Sequence, residues 1–317
     1  AVTFGGVAAQ GFAVDSDTRI RAEPPAGTGT VNVQVTVGGL TSASGAANEY
    51  TYGVPPTITS VAPSAGPAVG GTTVLIRGTG FSNVTGVVFG SAPSTAYAVD
   101  NDTQIRANAP AGTGTVDIRV STANGTSAVG AADQFTYVPA PTVTALSPTS
   151  GPTTGGRAVT ITGTNFGGVT SVIFGGTPAH GYTINSATQI TAIAPAGSGT
   201  VDVRVTSMGG TSAVTLADQF TYVAPPVVTS LSPASGPSSG GNTIGINGTG
   251  FTGATAVTFG GVPALGIAVD SDTRIRAEAP AGTGAVDVRI TTPGGGTSAI
   301  TPVGQYVYGD VPTVTAV

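Results

Sequence analysis

Residues 226–259 read PVVTSLSPASGPSSGGNTIGINGTGFTGATAVTF, and this stretch decides how the rest of the chain is read. Val228 and Leu231, then Ile244 and Ile246, then Val257 and Phe259 are apolar positions set among small polar ones. Ser-Gly-Pro, Gly-Gly and Asn-Gly separate the runs. Alternation with a period of two marks half-buried strands, and glycine or proline between them marks tight turns. The same text returns along the chain. Phe4, Phe89, Phe174 and Phe259 close equivalent phrases and stand 85 residues apart. A repeat of this length signals a tandem array of small units rather than one large domain.

The unit boundaries follow from the prolines that open each copy, Pro56, Pro141, Pro226 and Pro312, spaced 85, 85 and 86 residues apart. Residues 1–54 form the back part of a unit and lack its opening strands; 55–139, 140–224 and 225–310 are complete units; 311–317 is the first strand of another. The extra residue is assigned to the turn Pro293-Gly294-Gly295-Gly296, where the first complete unit has Thr122-Ala123-Asn124-Gly125. Within residues 225–310, Ile275 is flanked by Arg274 and Arg276, which places the isoleucine inward and both arginines outward. Val286, Val288 and Ile290 alternate with Asp287 and Arg289, and Tyr306 and Tyr308 close the unit. No segment carries a sustained helical period. About six or seven short strands per unit predict an all-β fold of small sandwiches. The expected core of the first complete unit is Val74, Ile76, Phe81, Val88, Phe89, Ile105, Val116, Ile118, Val120, Phe135 and Tyr137, with counterparts 85 residues on. The linkers Tyr137-Val138-Pro139-Ala140-Pro141 and Tyr222-Val223-Ala224-Pro225-Pro226 are short and stiffened by proline, so an elongated, semi-rigid string is expected.

Composition excludes several function classes. The chain has no cysteine, so it has neither disulfides nor thiolate metal sites. Its ten basic residues are all arginine, the net charge is −5 and only 8% of residues are charged. A nucleic-acid partner requires a basic stripe, and an anionic membrane surface requires a basic cluster; this sequence offers neither. No apolar run is long enough to span a bilayer. Mean hydropathy of +0.28 with recurrent Val, Ile and Thr argues against disorder, despite 50 glycines and 23 prolines. Ala1 falls inside a repeat, so the segment is expected to be an excerpt of a longer chain.

The most specific motif is S-P-x-[SA]-G-P-x-x-G-G, at residues 232–241 and 147–156 and as APSAGPAVGG at 62–71. It is followed by [VI]-x-I-x-G-T-[GN]-F at 74–81, 159–166 and 244–251. Then come F-G-x-x-P-A or a close form and [SD]-x-T-x-I-x-A-x-[AP]-P-A-G. Together these resemble the IPT/TIG family, immunoglobulin-like domains of plexin-type receptors, some transcription factors and many bacterial surface proteins. The resemblance covers essentially the whole chain. It implies an early-set immunoglobulin-like sandwich and a tandem array on a bacterial or phage surface. It implies no activity, because one fold serves many functions. The family's DNA-binding members use basic loops, which have no equivalent here.

Each candidate site has a plain structural reading. The Ser-Gly-Pro-x-x-Gly-Gly loops precede strands and no lysine follows, so they read as turns rather than phosphate cradles. Asp15-Ser16-Asp17, Asp100-Asn101-Asp102 and Asp270-Ser271-Asp272 look like fragments of a calcium loop, but no glutamate completes the set and the second complete unit has Asn185-Ser186-Ala187. They are read as Asx-turns ahead of the Thr-x-Ile strand. His180, the one histidine, is absent from the sister units. Asp117, Asp202 and Asp287 alternate with Arg119, Arg204 and Arg289 and read as a solvated cross-strand pattern. Four Asn-x-Thr triplets, at Asn83, Asn101, Asn124 and Asn247, are attributed to the abundance of Asn and Thr. No catalytic, metal or cofactor-binding residue is assigned, and no cofactor is expected.

The sequence therefore favours a non-enzymatic structural repeat protein, extracellular or on a cell surface, forming a stalk, fibre or filament by self-association. Head-to-tail assembly, with a strand such as 313–317 completing the open unit of residues 1–54, is one form of this expectation; strands supplied by the preceding part of a longer chain are the other. The competing reading is an adhesin or carbohydrate-binding module with a glycan or cell-surface partner. It draws on Tyr97 and Tyr182, aromatics outside the repeated core positions.

Overall fold

The computed structural model describes residues 1–309, so the strand expected over 311–317 lies outside the described residues. The described residues form strands joined by turns and four short 3-10 segments, Ala46–Asn48, Ala131–Asp133, Leu216–Asp218 and Pro302–Gly304. The chain separates into two compact units at Pro139/Ala140.

In residues 225–309, alternating sequence becomes two packed sheets. One is the antiparallel series Val227–Ser232, Thr243–Thr249, Arg274–Glu278 and Gly266–Ser271. The other runs Ser235–Pro237, Gln305–Gly309, Gly284–Thr292, Ala256–Phe259 and Val262–Pro263, with Gly296–Thr297 also paired to Gly284–Thr292. The opening phrase VVTSLSPASGP thus serves both sheets. Its first part pairs antiparallel in one, and past Pro233 it crosses to pair in parallel with the last strand of the other. The sandwiches of 55–139 and 140–224 repeat this arrangement. Two- and three-residue strands such as Ala65–Pro67, Ala92–Pro93 and Gly125–Thr126 raise the strand number above the six or seven expected.

The core is where the alternation points. Ile244, Ile246, Phe251, Ile275 and Ile290 are fully buried, while Arg274 and Arg276 on either side of Ile275 are exposed. Of the expected core in 55–139, nine positions are buried; Val116 is half-buried and Val88 is not in the core at all. Val87 takes its place, opposite Val120. Three consecutive apolar residues, Val87, Val88 and Phe89, hide the phase of the alternation, and a strand can turn only alternate side chains inward. An edge-to-face aromatic chain runs through each core: Phe259, Tyr306 and Tyr308 have successive centroid distances of 5.4 and 5.0 Å. Phe89–Phe135–Tyr137 and Phe174–Phe220–Tyr222 repeat it. The Tyr308 and Tyr222 hydroxyls donate to the Pro280 and Pro195 carbonyls, at 2.8 and 2.9 Å.

The glycine of the [VI]-x-I-x-G-T-[GN]-F motif has a steric cause. At Gly78, Gly163 and Gly248 a β-carbon would overlap the carbonyl oxygen of the neighbouring strand and press on the ring of Phe81, Phe166 or Phe251. The strand pairing shifts register at this point, which brings the two backbones close. Outside the core, cross-strand threonines pair through their hydroxyls: Thr57 with Thr79 and Thr142 with Thr164 at 2.8 Å, Thr115 with Thr136 at 2.9 Å and Thr200 with Thr221 at 3.0 Å.

Residues 1–54 form one sheet from Val2–Phe4, Val7–Ala8, Thr30–Val37, Leu40–Thr41 and Glu49–Thr51, and a separate hairpin from Gly11–Ser16 and Arg19–Glu23. Val2 and Phe4 are buried, and Phe4 meets Tyr50 edge to face at 5.2 Å. Phe12, Val14 and Ile20 on the hairpin are exposed.

Candidate functional site

The three Asp-x-Asp segments divide their work among residues. The Asx-type turn is made by the middle residue: Asn101 Oδ1 accepts from the Thr103 amide at 2.9 Å, and Ser271 and Ser16 do the equivalent for Thr273 and Thr18. The first aspartate takes a two-pronged hydrogen bond from an arginine across the hairpin, Asp100 from Arg106 and Asp270 from Arg276. The arginine holds each carboxyl below its ordinary range. The second aspartate ties in a distant loop: Asp102 accepts from the Ser82 amide and hydroxyl, and Asp272 from Thr252 and Gly250. These bonds hold Asp102 and Asp272 low as well. The carboxylates face different partners, and no group of three or more His, Cys, Asp or Glu among the described residues could hold a metal.

Asp117, Asp202 and Asp287 are not a solvated pattern. They are half-buried and stand opposite Gln134, Gln219 and Gln305, whereas Arg204 and Arg289 donate to the Ser212 and Ser298 carbonyls. The strand alternates charge, but the acid and the base face different neighbours. His180 is exposed in a turn, its amide bonded to the Ile193 carbonyl. Tyr97 and Tyr182 sit on the edge strands Tyr97–Asn101 and Gly181–Ser186, more than a third exposed. Their hydroxyls lie 3.5 and 3.3 Å from the Val84 and Val169 carbonyls of their own domain.

The residues that distinguish this chain as an array are at the joints between consecutive repeats inside each unit. In residues 140–309, the turn Pro293-Gly294-Gly295 sits on the linker that precedes its own domain. A β-carbon at Gly294 would stand 3.0 Å from the Val223 side chain and 3.4 Å from the Ser150 hydroxyl, and one at Gly295 would overlap the Ala224 carbonyl oxygen. Glycine is required at Gly295 because backbone meets backbone, whereas Gly294 faces side chains only. In residues 1–139 the equivalent turn is one residue shorter: Ser121 pairs with Thr126, whereas Thr291 pairs with Thr297. There Asn124 lies over Gly53, and Gly125 faces Pro55. The extra residue of the last repeat is thus placed in the turn that meets the linker.

Sequence reasoning missed two further residues, Asp133 and Asp218. Both are buried, in the 3-10 segment ahead of the last core strand. The signal was present in Ala-Ala-Asp-Gln-Phe and Leu-Ala-Asp-Gln-Phe, whose counterparts are Ala-Ala-Asn-Glu-Tyr and Pro-Val-Gly-Gln-Tyr.

A family model for the IPT/TIG domain matches residues 56–137, 141–222 and 226–308. The chain belongs to the IPT/TIG family. Over 208 residues it is 32% identical to Plexin-2 of Caenorhabditis briggsae, a match covering 62% of this chain and 12% of that protein. Over 248 residues it is 32% identical to human Fibrocystin-L, covering 74% of this chain and 6% of that protein. The chain thus spans only a small part of the length of these relatives. A solved plexin A4 extracellular region aligns with 77% of this chain and 24% of its own, at 20% identity and a TM-score of 0.35. No helix among the described residues is long and apolar enough to cross a membrane.

Proposed function

We propose that this tandem IPT/TIG chain is an extracellular structural segment, a length of stalk, fibre or filament, and that inside each compact unit the joint between repeats is held by turn-on-linker packing. The observation that carries the reading is the seat of Gly294 and Gly295 on Val223 and Ala224, with its counterpart at Asn124 and Gly53. A linker gripped in this way transmits orientation from one sandwich to the next; a free linker would not. The near-copy repeats suit an object whose length is set by copy number. Self-association, head to tail through strand addition at the open face of residues 1–54, is the further part of the proposal. The relatives named above are animal proteins and lend no support to a bacterial or phage origin, so the proposal concerns the array whatever organism carries it.

The test is Gly295→Val. Residual dipolar couplings of the full chain should show the sandwiches of 140–224 and 225–310 losing their fixed mutual orientation, with the melting of each little changed. Unchanged couplings would remove the joint from the argument. Sedimentation over a wide concentration range reads self-association independently.

A second reading, an adhesin or carbohydrate-binding module, is favoured by one observation. Phe12, Tyr97 and Tyr182 recur at the same exposed position on the hairpin of three successive repeats. A glycan array separates the two readings: a glycan bound by the full chain and lost in the Tyr97→Ala, Tyr182→Ala double variant would replace the structural proposal.

A further inference from the structure

The position three residues into each 3-10 segment is occupied by Asn48, Asp133, Asp218 and Gly304 in successive repeats. Asn48 shows what the fold asks of a side chain there. Its Oδ1 accepts from the Gly45 amide at 2.8 Å, and its Nδ2 donates to the Val33 and Ala43 carbonyls, both at 2.9 Å. The site thus presents one donor and two acceptors. Gly304 supports the same geometry, since a β-carbon there would stand 3.5 Å from the Val288 carbonyl, the counterpart of Val33.

Asp218 meets this environment with two oxygens. It is fully buried; its Oδ2 accepts from the Thr215 amide at 3.1 Å, and its Oδ1 has no hydrogen-bond partner. The carbonyls at the equivalent places belong to Val203 and Ala213. Asp133 is 2% exposed and takes both of its contacts, at 3.2 Å, from the one Gly130 amide. An ionised carboxylate can only accept, so it cannot serve a carbonyl; a carboxylic acid has one O–H to donate, as Asn48 donates with its amide.

We infer that Asp133 and Asp218 are carried in the folded chain as neutral carboxylic acids, each donating its proton to a backbone carbonyl, so that these two domains are reversibly weakened as solution turns from acid to neutral. Burial pushes both carboxyls above their ordinary value, and the neighbouring Asp117 or Asp202 adds to the push. Arg119 and Arg204, on the same strands as those acids, act in the opposite sense. The strands Thr57–Ala62 and Thr142–Ser147, packed on the other side, bring no titratable group. The direction follows by linkage. An acid with a raised folded pKa adds stability that is complete below its unfolded value of 3.8 and is lost as pH rises through the folded value. Each unit of rise is about a tenfold change in the unfolding equilibrium constant. The domain of residues 225–310, with Gly304, lacks the device at this position. The array therefore alternates nothing in its fold, but it combines acid-responsive domains with one that is indifferent at this site.

The test uses the full chain labelled with 13C at aspartate carboxyls. Two resonances, absent in turn from Asp133→Asn and Asp218→Asn, should titrate above the main group of aspartates. The asparagine variants, which reproduce the arrangement at Asn48, should denature in urea at the same or higher concentration at neutral pH, with a flatter dependence on pH. Two carboxyls that titrate with the exposed aspartates would overturn the inference even if either variant failed to fold. So would asparagine variants that fold yet keep the parent's full pH dependence.

Discussion

Residues 2–29 and 257–284 are nearly the same sequence, differing only at Ala8/Pro263, Gln10/Leu265, Phe12/Ile267 and Pro24/Ala279. Their local structure is also the same. Each hairpin pairs valine with isoleucine, Val14 with Ile20 and Val269 with Ile275, and breaks register at the next residue. Each also closes an arginine on an aspartate at 2.8 Å, Arg21 on Asp15 and Arg276 on Asp270. Burial is where they part: Ile275 is fully buried and Ile20 is 37% exposed. The cause is the strand Thr243–Thr249, which sets Ile246 opposite Ile275 and has no counterpart within residues 1–54. Turn, register and ion pair are written into the 28 residues; the core is supplied by residues about thirty positions away.

The comparison can be broken by substitution. Phe259→Ala should cost about 3–5 kcal/mol and Ile275→Ala about 2–5 kcal/mol, both read by urea unfolding of the domain of 225–310. Ile20→Ala should cost about 1 kcal/mol or less, because the side chain leaves little behind. Equal costs at Ile20 and Ile275 would mean that the hairpin of residues 11–23 is covered in solution. A gentler effect sharpens the same point. A peptide of residues 226–251, added in trans to the full chain, should pair with Arg19–Glu23 and slow its amide exchange. About 1.4 kcal/mol of local stabilisation corresponds to a tenfold slowing. No protection at saturating peptide would show that the opening strands act only when joined to the chain.

The ion pair should matter less. Arg276 holds the Asp270 carboxyl below its ordinary value, so whatever stability the pair adds is present above the unfolded carboxylate pKa and is lost as pH falls through the folded one. Both groups are solvated, and Arg276→Gln should lower the melting temperature slightly at neutral pH and not at all in strong acid. A drop that persists in strong acid would assign Arg276 a packing role instead. Smallest of all is the expected response to EDTA, which should leave the melting curve unmoved, since Asp270 and Asp272 are turned to different partners.

Much of this fold was legible in the sequence, and the exceptions have physical reasons. The period, the sandwich class and most of the core followed from alternation and from glycine placement. Val88 was misread because consecutive apolar residues carry no phase, and only the partner strand selects Val87. Ala65–Pro67 and Ala92–Pro93 are too short to hold a period at all. The Asp-x-Asp segments were visible, but Asp102 acts on Ser82, twenty residues away, and no local pattern reports that. Asp133 and Asp218 escaped because an aspartate before a strand ordinarily signals a turn in water, whereas here the turn folds inward over the strand Thr57–Ala62 or Thr142–Ser147.

The threonine pairs have a consequence of another kind. Thr57–Thr79, Thr142–Thr164, Thr115–Thr136 and Thr200–Thr221 knit exposed strands together with neutral hydroxyls, in a chain with no lysine and few other charges. Attractions between ions on a protein surface fade as electrolyte is added, over a screening distance of about 10 Å at 0.1 M. A hydroxyl pair has no net charge to screen. These threonine pairs therefore join their strands equally well in dilute water and in brine, where the exposed Arg276–Asp270 pair is screened.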